Sequence, residues 1–100
     1  MSKAIAAALV TGGAKRIGKA IVEDLAGHGF AVAIHANRSH DEADALAAGI
    51  NQSGGRATVV GADLTDMSAV SGLVGKAEAA LGPISLLVNN ASLQLKKKFP

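Results

Sequence analysis

The feature that most constrains this chain is a switch between two hydrophobic periods, repeated along its whole length. Four short apolar runs, Ala4 to Val10, Phe30 to Ile34, Ala57 to Val60 and Ile84 to Val88, alternate with three stretches of helical period. Unbroken apolar runs of this length are strands buried on both faces. The alanines of the first run also suit a helix, and the Thr11-Gly12-Gly13 that stops it decides for strand. Ile17, Ala20, Ile21, Asp24, Leu25 and His28 then fall at helical spacing, with Gly27 and Gly29 where a helix ends. Asp41 to Gln52 sets Ala43, Leu46, Ala47 and Ile50 on one face and stops at Ser53-Gly54-Gly55. Its acidic start, Asp41-Glu42-Ala43-Asp44, suits the positive end of a helix. Met67 to Leu81 aligns Val70, Leu73, Val74, Ala77 and Leu81; Thr65 or Asp66 caps it and Gly82-Pro83 ends it. Strand and helix in strict alternation specify a parallel sheet in an α/β layer architecture. The 100 residues suffice for one domain and one core, and no linker or internal repeat divides them.

Composition removes several classes of function. With 49% apolar and 18% charged residues at a net charge of +2, general disorder is excluded. No apolar run approaches the eighteen or so residues of a membrane span. A basic loop, not a small-residue cleavage site, follows the first run, so no export signal is read and a cytoplasmic location is expected. The absence of cysteine excludes a disulfide framework, a thiolate metal site and a cysteine nucleophile, and no metal site is expected. Two aromatic residues, Phe30 and Phe99, cannot form a stacking platform for single-stranded nucleic acid. The basic excess is local. Lys96, Lys97 and Lys98 supply it; without them the chain is net −1, and its middle, 39–95, carries six acidic and two basic side chains. A nucleic-acid footprint would gather cations on one face, so nucleic acid is not an expected partner.

Chemistry begins where the first strand turns into the first helix, at Thr11-Gly12-Gly13-Ala14-Lys15-Arg16-Ile17-Gly18-Lys19. A glycine-rich strand-to-helix turn offers backbone N–H groups and a positive helix end, which together cradle a phosphate. Its place in a βαβ unit is the context a dinucleotide fingerprint requires. Taken alone, such a loop is also what a tight turn needs and nothing more. Gly13-x-x-x-x-Gly18-Lys19 has the spacing of a P-loop, but Ala20 stands where a Ser or Thr would hold Mg²⁺. That reading survives only as a degenerate P-loop.

Further motifs stand at the ends of the other strands: His35-Ala36-Asn37-Arg38-Ser39, Gly61-Ala62-Asp63-Leu64 and Asn89-Asn90-Ala91-Ser92. Ligands bind at the carboxyl ends of strands in open α/β sheets. Together with Thr11, Gly12, Ile17 and Gly18, these residues resemble the cofactor-binding half of a short-chain dehydrogenase/reductase, over residues 4 to about 93. Two departures from the usual pattern, Arg16 for the middle glycine and Asn-Asn-Ala-Ser for Asn-Asn-Ala-Gly, are similar to the pteridine reductase-like subgroup, as is the His-x-x-Arg-Ser stretch. The resemblance implies a Rossmann-type doubly wound parallel sheet, here its N-terminal portion in the order 3-2-1-4. It also implies an oxidoreductase that reduces a carbonyl or pterin-like C=N substrate, and a homotetramer for the intact enzyme.

Cofactor choice follows from charge. An NAD site places an acidic residue after the second strand, whereas here no acid precedes Asp41. Arg38 can pair with a 2′-phosphate bidentately, Ser39 can donate to it, and His35 can add a donor, so NADP(H) is the expected cofactor. The plainer alternative for Arg38 is a surface charge, and for His35 a packed residue. By resemblance Lys15 and Arg16 border the pyrophosphate and the substrate cleft. Asp63 accepts from the adenine amino group unless it only caps a helix, with Leu64 as an apolar wall. Asn37 completes the tip of the second strand. Asn90 and Ala91 lie along the cofactor, and Ser92 touches cofactor or substrate. The proton donor such chemistry needs is, in this family, a Tyr followed four residues later by a Lys. The chain contains no Tyr, so the resemblance puts that pair beyond Pro100 and no catalytic residue is expected within the chain. Residues 93–100 form a tail atypical of the family. The expectation is therefore a truncated domain that by itself binds NADPH weakly at best, does not turn over, and aggregates or self-associates through its fourth strand. A non-catalytic nucleotide-binding or regulatory module is the alternative.

Overall fold

The computed structural model describes residues 6–12, 16–36, 40–61 and 67–89. Their element order is β1 (Ala7–Val10), α1 (Arg16–Gly27), β2 (Ala31–Ala36), α2 (His40–Gln52), β3 (Ala57–Gly61), α3 (Met67–Leu81) and β4 (Ile84–Val88). All pairings are parallel and the strand order is β3-β2-β1-β4, the N-terminal portion of a Rossmann-like sheet. Parallel neighbours need crossover connections, and the three helices supply them.

The one core expected from chain length is divided by the sheet into two apolar clusters, because a parallel sheet is covered on both faces. On one face Val10, Val32, Ile34 and Ala36 pack with Val22 of α1 and Ala43, Ala47 and Ile50 of α2. On the other, Leu9, Ala33 and Val60 meet Leu73 and Ala77 of α3. The central strands β1 and β2 are buried along their whole length, which is why their sequences, His35 apart, are apolar without alternation. The edge strand β4 is different. Its register sets Leu86 beside Ala8 and Leu87 beside Leu9, on opposite faces, and these leucines are 37% and 49% exposed.

β1 begins at Ala7 and not at Ala4, α2 begins one residue early at His40 and β3 runs one residue on to Gly61. Two larger departures bear on the site. β2 runs on through His35 and Ala36 because both pair with β3, at Val60 and Gly61, so His35 lies inside the strand. In α1 the buried stripe is Gly18 and Val22, with Ile21, Leu25 and Ala26 packed beside it. Ile17 faces solvent, and Asp24 and His28 lie on the exposed side, where their side chains approach to 3.8 Å. The end of α1 falls as its glycines predict. Phe30 N–H donates to Leu25 O and Gly29 N–H to Ala26 O, a Schellman pair. Gly29 sits at φ 94°, where a side chain would be strained. The proposed cap at Thr65 or Asp66 lies outside the described residues.

Candidate functional site

β1, β2 and β4 end together, and their last residues tie the turn into α1 from both sides. Thr11 prolongs the β1–β4 ladder through its N–H, which donates to Val88 O at 3.0 Å. Its hydroxyl lies 3.3 Å from both Val88 O and Asn89 Oδ1, so one donor is shared between the strand end and the asparagine. Thr11 is buried. One residue on, Gly12 takes φ 63°, in the left-handed region that a side chain resists. Its N–H turns the other way and donates to Nδ1 of the buried His35 at 2.9 Å. The turn is thus held by β4 through Thr11 and by β2 through Gly12.

α1 opens at Arg16, itself at φ 53°. A non-glycine residue there costs of order 1–3 kcal/mol, tolerated where the surroundings impose it. The first turn of α1 contains no acidic residue and carries Arg16 and Lys19. Cations at a helix N-terminus oppose the dipole, so these charges do not stabilise the helix, and they stand where its free N–H groups attract an anion. Gly18 is buried, on the same side of α1 as Val22. Ile17, 62% exposed, offers an apolar surface beside the turn. The end of β3 is held by α3, because Lys76 Nζ donates to Gly61 O at 3.2 Å.

Among the residues expected from the sequence, the structure places Gly12, Arg16, Ile17, Gly18 and His35 at this one end of the sheet. Lys15, Asn37, Arg38, Ser39, Asp63, Leu64, Asn90, Ala91 and Ser92 lie outside the described residues. The 93–100 tail ending in Pro100 also lies outside them, and with it the expected place of the family's Tyr and Lys, beyond Pro100. Thr11 and Asn89, to which the sequence motifs assign no role of their own, hold the turn in place. No group of three or more His, Asp or Glu that could hold a metal occurs among the described residues. No described helix is long and apolar enough to cross a membrane. A groove of about 490 Å³ lies between α1 and α2, lined by Ala26, Gly27, Leu46, Gly49 and Ile50 among others. Its lining comes from the carboxyl-terminal halves of those helices and the loop after α2, and includes no residue of the turn.

A family model for the short chain dehydrogenases matches residues 6–100. A short-chain dehydrogenase/reductase homolog of Bacillus subtilis, YusS, is 40% identical over 86 residues, covering 86% of this chain and 79% of that protein. The crystal structure of FolM alternative dihydrofolate reductase 1 from Brucella canis, complexed with NADP, is 65% identical. It superposes with a TM-score of 0.81, over 87% of this chain and 35% of that one. A putative dehydrogenase from Burkholderia cenocepacia with bound NADP is 40% identical, with a TM-score of 0.80, over 86% of this chain and 34% of its own. The chain therefore spans about a third of these solved structures and most of YusS.

Proposed function

This chain belongs to the short-chain dehydrogenase family, and from that premise we propose that it forms the NADP(H)-binding part of a reductase acting on a pterin-like C=N or carbonyl substrate. The observation that carries the cofactor reading is the α1 N-terminus. A left-handed Gly12 leads into a helix whose first turn has two cations and no acid, which fits a pyrophosphate. The choice of a 2′-phosphorylated dinucleotide rests on Arg38 and Ser39, with no acid between the second strand and Asp41. The substrate class rests on the 65% identity to the Brucella FolM structure.

When bound, NADPH supplies a hydride. The residues of this chain bind and orient. The α1 N-terminus and Arg16 balance the pyrophosphate charge, Arg38 and Ser39 hold the 2′-phosphate, Asp63 and Leu64 frame the adenine, Asn90 and Ala91 lie along the cofactor, and Ser92 touches cofactor or substrate. The 100 residues contain no tyrosine, so the family's phenol proton donor is not among them, and this chain by itself binds without turning over. A homotetrameric holoenzyme and a cytoplasmic location belong to the same proposal.

Calorimetric titration with NADPH, NADH and ATP tests the proposal, comparing the parent with Arg38→Asp. Reversing a charge paired with phosphate is expected to weaken NADPH by about 30-fold, about 2 kcal/mol, and NADH much less. Equal losses for the two cofactors would remove the 2′-phosphate assignment. Preference for ATP would restore the degenerate P-loop.

A further inference from the structure

We propose that His35 is a positioning residue: its imidazole holds the glycine turn in its binding geometry rather than touching the 2′-phosphate. The inference rests on the dinucleotide reading of that turn. As a sequence feature, His35 looks like an extra donor at the strand end. The structure gives its Nδ1 the opposite role, as acceptor of the Gly12 N–H at 2.9 Å across 23 positions of sequence.

That bond has consequences for both partners. It needs a lone pair on Nδ1, which puts the proton of the neutral ring on Nε2. It also withdraws the Gly12 N–H from any phosphate, leaving the anion to the α1 N-terminus beyond it. Gly12 is left-handed at φ 63°, a conformation a glycine does not prefer by itself, since it populates both signs of φ about equally. Something must select it, and a fixed acceptor does so. His35 is fixed, because it is 3% exposed and paired with Val60 inside the β2–β3 ladder. Through it the turn is locked to β2, the strand that leads directly into Asn37-Arg38-Ser39. One side chain thereby ties the glycine at the end of β1 to the interior of β2.

The two roles for His35 separate cleanly. A direct contact to the 2′-phosphate serves NADPH alone; a hold on the turn serves every dinucleotide. His35→Leu removes the acceptor, and His35→Asn keeps one, with Oδ1 in place of Nδ1. Amide exchange at Gly12, followed by NMR on the full 100-residue chain, is expected to accelerate about tenfold or more in His35→Leu and to stay near the parent in His35→Asn. NADPH and NADH are each expected to weaken about tenfold in His35→Leu and by less than about threefold in His35→Asn. A long-range ¹H–¹⁵N spectrum of the parent imidazole needs no variant and is expected to show the proton of the neutral ring on Nε2. A proton on Nδ1, unchanged Gly12 exchange in His35→Leu, or loss of NADPH with NADH spared would each overturn the proposal. If the parent binds neither nucleotide, the dinucleotide reading fails, while Gly12 exchange and the tautomer still decide whether His35 holds the turn.

Discussion

Gly12→Val puts the turn under the strictest test, because its effects on stability and on binding differ in size. At φ 63° an L-residue pays about 1–2 kcal/mol relative to glycine, and a β-branched one tends to the upper end. The lower entropy of the substituted unfolded chain returns about 0.4–1 kcal/mol. The net loss is about 1 kcal/mol, against a typical domain stability of about 5–15 kcal/mol. The variant therefore stays folded. For a chain of this size about 1 kcal/mol lowers the melting midpoint by about 4–8 °C. Binding is expected to fall much further, by at least about 100-fold. The added side chain occupies the approach to the backbone, and any shift of φ breaks the Gly12–His35 bond. Circular dichroism melts and calorimetric titration with NADPH measure the two effects on the same sample. An unchanged midpoint would mean that residue 12 is not left-handed. A lowered midpoint with unchanged NADPH affinity would make the loop only a turn and end the dinucleotide reading.

Three further outcomes follow from the geometry. Gly72 and Gly75 sit inside α3 with nothing within 4 Å of an added Cβ, so Ala at either is expected to stabilise by about 0.5–1 kcal/mol. A lower melting midpoint in both variants would refute that helix packing. Arg16→Gly removes backbone strain at φ 53° but adds glycine's unfolded-state entropy, so the midpoint is expected to move little. NADPH affinity should nevertheless fall about tenfold as the cation is lost; unchanged affinity would take Arg16 out of the site. Finally, Leu86 and Leu87 expose apolar side chains on both faces of the edge strand β4, so the 100-residue chain is expected to self-associate. Light scattering should show Leu86→Thr with Leu87→Thr shifting it toward monomer, and a monomeric parent would refute the reasoning.

The parts of this structure that sequence made legible are those where burial alone decides. β4 and α3 begin and end at the residues where the period changes, at Met67, Leu81, Ile84 and Val88, because apolar side chains, helix period and Gly82-Pro83 agree there. The inward face of α2, Ala43, Ala47 and Ile50, was equally readable, since one stripe carries both the period and the core. Legibility fails at the carboxyl end of the sheet, and it fails for a common reason. His35 is polar, so hydropathy ends β2 before it, although its ladder partner Val60 and its bond to Gly12 keep it buried in the strand. Ile17 is apolar, so the helical period counts it with the core, although it faces solvent beside the turn. Arg16 is the wrong residue for a left-handed backbone, so nothing in its own chemistry announces φ 53°. Each breaks the local rule that otherwise governs this chain, a polar residue inside, an apolar one outside and a side chain where glycine fits. A sequence agrees with its fold at every level except where something other than folding sets the residue. That three such exceptions gather around one turn, ahead of a helix whose first charges oppose its own dipole, is itself a physical argument that the turn is where this chain meets its ligand.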